Sequence, residues 1–108
     1  MKLSELVKEL SLKELAPFAE DICPTGVYAG DLLSRAMSHV GEGNLWLTIM
    51  SNANVVAVAS LTEASLVILA EGVELMPEAK TAALEQNIGV YSSEDTVYEI
   101  CKKLGELL

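Results

Sequence analysis

Two apolar runs constrain this chain more than anything else in it: Leu45-Trp46-Leu47-Thr48-Ile49-Met50 and Leu66-Val67-Ile68-Leu69-Ala70. Neither alternates polar with apolar residues, so each reads as a strand covered on both faces, as in a parallel sheet. Parallel neighbours need a crossover of about a dozen residues between them, and residues 51–65 supply about that length. Ser51, Asn52 and Asn54 follow the first run as cap-forming residues, and Val55, Val58, Ala59 and Thr62 then share one side of a helix. The β-branched residues among them would also suit a strand. The crossover requirement decides for helix.

The remaining elements arrange themselves around this pair. Leu3, Leu6, Val7 and Leu10 lie at helical spacing, with Ser4 as the expected N-cap. Ser11 and Glu14 resemble a second capping box, which predicts a turn that Pro17 stops. Residues 12–28 hold few repeats, and Val27-Tyr28 reads as a strand end. Asp31 is the expected N-cap of a helix with an apolar stripe of Leu32, Leu33, Ala36, Met37 and Val40, and Gly41 its left-handed stop. After the second run, Pro77 opens a helix favoured by Ala79, Ala82, Ala83 and Glu85. Gly89 breaks it, and Val90-Tyr91 forms a brief third strand. Ser92 or Ser93 is expected to cap a last helix, whose stripe is Val97, Ile100, Cys101 and Leu104, with Lys102 and Lys103 near its negative end.

Strands beginning near 45, 66 and 90, each followed by a helix, predict an α/β fold of three layers. Its sheet is mostly parallel, with a βαβαβα core joined by right-handed crossovers. The expectation is one domain spanning residues 1–108.

Composition narrows the function. Hydrophobic residues make up 51% of the chain, enough for a core despite a net charge of −9. Seven Lys+Arg against sixteen Asp+Glu leave a surface that repels phosphate backbones and anionic lipid, so neither nucleic acid nor a membrane is an expected partner. No apolar run approaches the roughly 20 residues of a membrane span, and Glu5 and Glu9 do not suit a signal peptide. Two distant cysteines, Cys23 and Cys101, read as free thiols of a cytoplasmic protein.

Ligands of parallel sheets sit beyond the carboxyl ends of the strands, where helix N-termini point. Three such ends are readable, and together they form the expected ligand rim: Ser51, Asn52 and Asn54; Glu71 and Gly72; Ser92 and Ser93. Each of these residues is explained as readily by local capping, and only their convergence suggests a site. No phosphate-binding glycine motif is present, since Gly41-Glu42-Gly43 precedes its strand. His39 is the one histidine, at a helix end where it suits the dipole, and no cysteine pair has metal-ligand spacing, so neither a metal nor another cofactor is expected. No nucleophile elbow accompanies any serine. A thiol-dependent activity at Cys23 is the residual enzymatic reading, against which stands the lack of a basic neighbour. Trp46 suits the core, while Leu104, Leu107 and Leu108 form an apolar tail that a second copy or a partner would cover.

Three segments resemble the DRTGG domain family: Gly26-Val27-Tyr28-Ala29-Gly30-Asp31-Leu32-Leu33-Ser34, the strand-to-helix passage at 45–72, and Gly89-Val90-Tyr91-Ser92-Ser93-Glu94-Asp95-Thr96. The resemblance covers nearly the whole chain and extends more remotely to the N-terminal domain of HPr kinase/phosphorylase. It implies a non-catalytic regulatory or sensory domain, of the kind found beside CBS pairs or phosphotransacetylase, binding a small ligand such as a nucleotide. Stand-alone members imply an alternative: an accessory subunit of an iron-hydrogenase or other iron–sulfur redox enzyme, with no small ligand. A homodimer is expected. Where the family carries Asp-Arg this chain has Ser51-Asn52, and where it carries Thr-Gly-Gly this chain has Ala70-Glu71-Gly72. The arginine's anion contact is therefore absent. Kinase activity is not implied.

Overall fold

The computed structural model describes all residues, 1–108. In chain order the elements are α1 (Leu3–Glu9), β1 (Lys13–Ala16), β2 (Gly26–Ala29), α2 (Leu33–His39), β3 (Asn44–Thr48), α3 (Ala53–Thr62), β4 (Leu66–Leu69), α4 (Pro77–Gln86), β5 (Val90–Ser92) and α5 (Val97–Leu107). The strands form one sheet in the order β1-β5-β4-β3-β2, parallel throughout except where β1 runs antiparallel to β5.

The two apolar runs lie in the interior of this sheet, where both of their faces are covered. Trp46, Val67 and Val90 lie in register and join a core with Ala36, Val55, Val56, Val58, Ala59, Ala79 and Ala83 beneath α2, α3 and α4. Leu45, Leu47, Leu66, Ile68 and Tyr91 face the opposite way, onto Leu3, Leu6 and Leu10 of the α1 segment and Ile100 and Leu104 of α5. Burying each Leu or Ile side chain fully contributes about 1.5–3 kcal/mol. The α/β, three-layer, mostly parallel architecture and its βαβαβα core are as the sequence predicts.

The structure differs from these expectations in six details. Ser11 and Glu14 cap nothing: Lys13–Ala16 is the antiparallel edge strand, with a register shift between Glu14 and Ala16. Val27-Tyr28 belongs to a full strand, β2, parallel to β3. Ser4 lies inside α1, where its hydroxyl and amide both donate to Asp21, at 2.6 and 2.9 Å, and tie the 17–25 loop to that helix. Leu32 and not Asp31 is the N-cap of α2. That helix ends at Val40 in extended backbone, and Gly43, with φ +80°, makes the reversal assigned to Gly41. A side chain at Gly43 would also meet Thr25, at 2.9 Å. Finally, Thr96 and not Ser92 or Ser93 caps α5, through a capping box with Glu99.

Trp46 is fully buried and donates its indole N–H to the Gly30 carbonyl at 2.9 Å. Leu104 is buried in the chain's own core, Leu107 half-buried and Leu108 exposed, so only the last of the three is a tail residue. Lys103 pairs with Asp95 at 2.6 Å across the first turns of α5, away from the helix's negative end. Cys23 is exposed and Cys101 half-buried. No helix is long and apolar enough to cross a membrane.

Candidate functional site

All four parallel strands direct their carboxyl ends to one edge of the sheet, so the loops after β2, β3, β4 and β5 lie side by side there. Hydrogen bonds stitch each loop to the next. Asp31, after β2, accepts from the Thr48 hydroxyl at 2.7 Å and from the Ile49 amide at 3.0 Å. The Ser51 carbonyl accepts from the Met76 amide, the residue that caps α4, at 3.1 Å. Gly72 donates to the Ser93 carbonyl at 2.8 Å, and Glu71 donates to the Asp95 carbonyl at 2.9 Å.

The connection after β4 leads to α4, on the face shared with α2 and α3, whereas that after β5 leads to α5, on the opposite face. Beyond β4 and β5 the chain therefore leaves to opposite faces of the sheet, the arrangement that opens a crevice at the carboxyl ends of α/β strands. Here the crevice is occupied by the protein itself. Glu71 and Gly72 take left-handed backbone, with φ of 60° and 67°, and fold over onto Ser93. A side chain on Gly72 would come within 2.5 Å of the Glu94 carboxylate. Glu71 and Glu94 are exposed, and Asp95 lies beside them, so this half of the rim disfavours anions.

The seven residues expected at the rim all lie along this edge, in two groups. Ser51 and Asn52 are half-buried and Asn54 is exposed, at the start of α3. The Asn52 side-chain carbonyl caps that helix by accepting from the Asn54 amide at 3.0 Å. Glu71, Gly72, Ser92 and Ser93 form the second group, at the ends of β4 and β5. Ser93 is buried, and its hydroxyl accepts from the Asp95 amide at 3.0 Å. By contrast the hydroxyl of Ser51, the amide nitrogen of Asn52 and the side-chain amide of Asn54 have no partner within the protein, on residues that are half-buried or exposed, whereas Ser92, whose hydroxyl also has no partner, is buried. The sequence reading missed Asp31, Thr48 and Glu94 as parts of this edge. Nothing in a single sequence signals the Asp31–Thr48 bond, because it joins the loop after β2 to the end of β3, 17 residues away.

Larger depressions lie elsewhere. One of about 510 Å³ opens at the amino end of the sheet, lined by Glu20, Glu42, Glu63, Thr25 and Ser65 among others. Another, of about 420 Å³ and mostly apolar, runs between β2 and α5.

Comparison with solved structures shows a likeness of fold. The chain superposes with a TM-score of 0.74 and 16% identity on the crystal structure of the CBS and DRTGG domains of the regulatory region of Clostridium perfringens pyrophosphatase, which was complexed with its activator, diadenosine tetraphosphate. The chain has a DRTGG-like fold. The match covers 94% of this chain and 45% of that one, so the DRTGG-like fold here spans less than half of the crystallised regulatory region. No protein-family model and no curated protein matches the sequence.

Proposed function

We propose that this chain is a non-catalytic regulatory module that senses a small polar ligand, such as a nucleotide, at the carboxyl edge of its sheet. One observation carries the reading: Ser51, Asn52 and Asn54 hold unpartnered hydrogen-bonding groups on half-buried or exposed residues, in loops already fixed to their neighbours. Preorganised donors and acceptors of this kind bind without an ordering cost. The DRTGG-like fold supports a regulatory role, since the similar structure is a regulatory region bound to a nucleotide activator.

Charge selects how such a ligand would lie. The α3 end, with its helix N-terminus and neutral Ser51, Asn52 and Asn54, suits the anionic part of a ligand. The Glu71 and Glu94 end suits a base or sugar, whose N–H and O–H groups can donate to carboxylates. A thermal-shift panel of nucleosides, nucleotides and polar metabolites tests the reading. Stabilisation by at least one member, lost when Asn54 is changed to Ala, is expected; no stabilisation by any member would remove the ligand from the account.

A further inference from the structure

The two edges of the sheet are built differently. β1, at one edge, carries Lys13 and Glu14, an irregular register and Pro17 directly after it. Charges, bulges and proline are the devices that stop an edge strand from pairing with another chain. β2, at the other edge, has none of them: Gly26-Val27-Tyr28-Ala29, followed by Gly30, is uncharged and regular, and it pairs only with β3.

The face beside this bare edge is also uncovered. Val27 and Ala29 project to the side where α1 and α5 lie, yet α5 stops short of them and both are exposed. The result is the groove of about 420 Å³ walled by Val27, Ala29, Cys101, Leu104, Gly105 and Leu108. No Asp or Glu lines it, although the chain as a whole carries −9. The acidic surplus that would oppose self-association is thus absent from the groove beside this edge.

We infer that this edge pairs with a second copy of the chain, β2 against β2, antiparallel about a two-fold axis normal to the sheet. A closed, symmetric interface of this type presents the same patch on both subunits. In an antiparallel pair, facing residues share a face of the sheet, so centring the axis on Tyr28 sets Val27 of one copy opposite Ala29 of the other. The two apolar grooves then merge into one trough between the two α5 helices, where the exposed Leu108 side chains are covered. An uncharged strand that satisfies itself under the two-fold favours a second copy over a foreign peptide. The continuous trough adds apolar area to the short strand pairing, toward the ~800 Å² per partner of a stable interface.

Sedimentation equilibrium of the full chain tests this, with Val27→Lys and Ala29→Lys as variants and Leu61→Lys, on exposed α3 surface, as control. Wild type and the Leu61 variant are expected to have twice the mass of the 11.6 kDa chain. Each β2 variant is expected to dissociate about tenfold or more readily, with an unchanged circular dichroism spectrum showing that the fold is kept. A monomeric wild type would overturn the inference, as would a dimer indifferent to both β2 variants or equally weakened by the control.

Discussion

The Asp31 carboxylate holds the Thr48 hydroxyl at 2.7 Å and, through the same oxygen, the Ile49 amide at 3.0 Å, fastening the loop after β2 to the end of β3. Thr48 is 1% exposed, so its hydroxyl has no ready access to water if that carboxylate is lost. Asp31→Ala is expected to cost about 1–3 kcal/mol, the penalty of stranding buried polar groups. Urea denaturation followed by Trp46 fluorescence measures it; a loss within a few tenths of zero would show that the clamp is incidental.

Two glycines separate backbone strain from packing. At Gly72 the φ of +67° disfavours a side chain, but the atom it would strike belongs to the flexible end of exposed Glu94. Gly72→Ala is therefore expected to cost about 1–2 kcal/mol, mostly backbone. At Gly89 the backbone is ordinary, but a side chain would meet the Phe18 Cα at 2.8 Å and buried Leu66 at 2.9 Å. Gly89→Ala is expected to cost about 2–3 kcal/mol by overpacking. The order of the two melting temperatures, with Gly89→Ala the lower, is the check.

Tyr91 is buried, stacks on Phe18, and donates its hydroxyl to Glu14 at 3.1 Å. Burial first, and the Glu14 bond second, push its pKa up to about 12. A phenol whose folded pKa is raised adds stability at pH below its ordinary value of 10.0, and that stability is lost as pH climbs toward 12. Ultraviolet titration should show one tyrosine ionising late, and Tyr91→Phe should abolish that step. Its persistence in the variant would refute the assignment.

At the acid end, Asp21 accepts from the hydroxyl and the amide of Ser4, which hold its carboxyl below its ordinary 3.8. A depressed carboxyl pKa supports the fold above that value and ceases to do so as pH falls through the folded pKa. Ser4→Ala removes the hydroxyl bond, the larger cause, so the Asp21 resonance should titrate at higher pH by NMR. An unmoved titration would place the cause elsewhere.

The centre of the fold was legible because its residues obey one constraint each: β3 and β4 are apolar throughout, and the crossover between them has only one length that works. α3 was ambiguous for a physical reason. It is the middle helix of three and buries Val55, Val56, Val58 and Ala59 against neighbours on several sides, so no clear stripe marks it. β1 was misread because an edge strand need be neither apolar nor long, and Ser11 with Glu14 looked like a capping box. The cap of α5 was available in the sequence, since Thr96 followed by Glu99 is a capping box, but Ser92 and Ser93 came first and competed for the role. The rim was foreseeable as an edge. Its stitching was not: the Ser51, Glu71 and Gly72 bonds are backbone to backbone and leave no mark on side-chain pattern, and the Asp31 carboxylate finds its partners 17 and 18 residues away.

The most direct test of the central claim is a calorimetric titration of the full chain with diadenosine tetraphosphate, ATP, AMP and adenosine, repeated on Ser51→Ala and Asn54→Ala. Neither side chain bonds within the protein, so both variants should fold as wild type does. The account predicts saturable binding of at least one compound, weakened about fivefold or more in each variant, as loss of one hydrogen bond of about 1 kcal/mol requires. Equal binding by wild type and both variants would contradict the rim as the site, and no heat with any compound would contradict an adenine-nucleotide sensor.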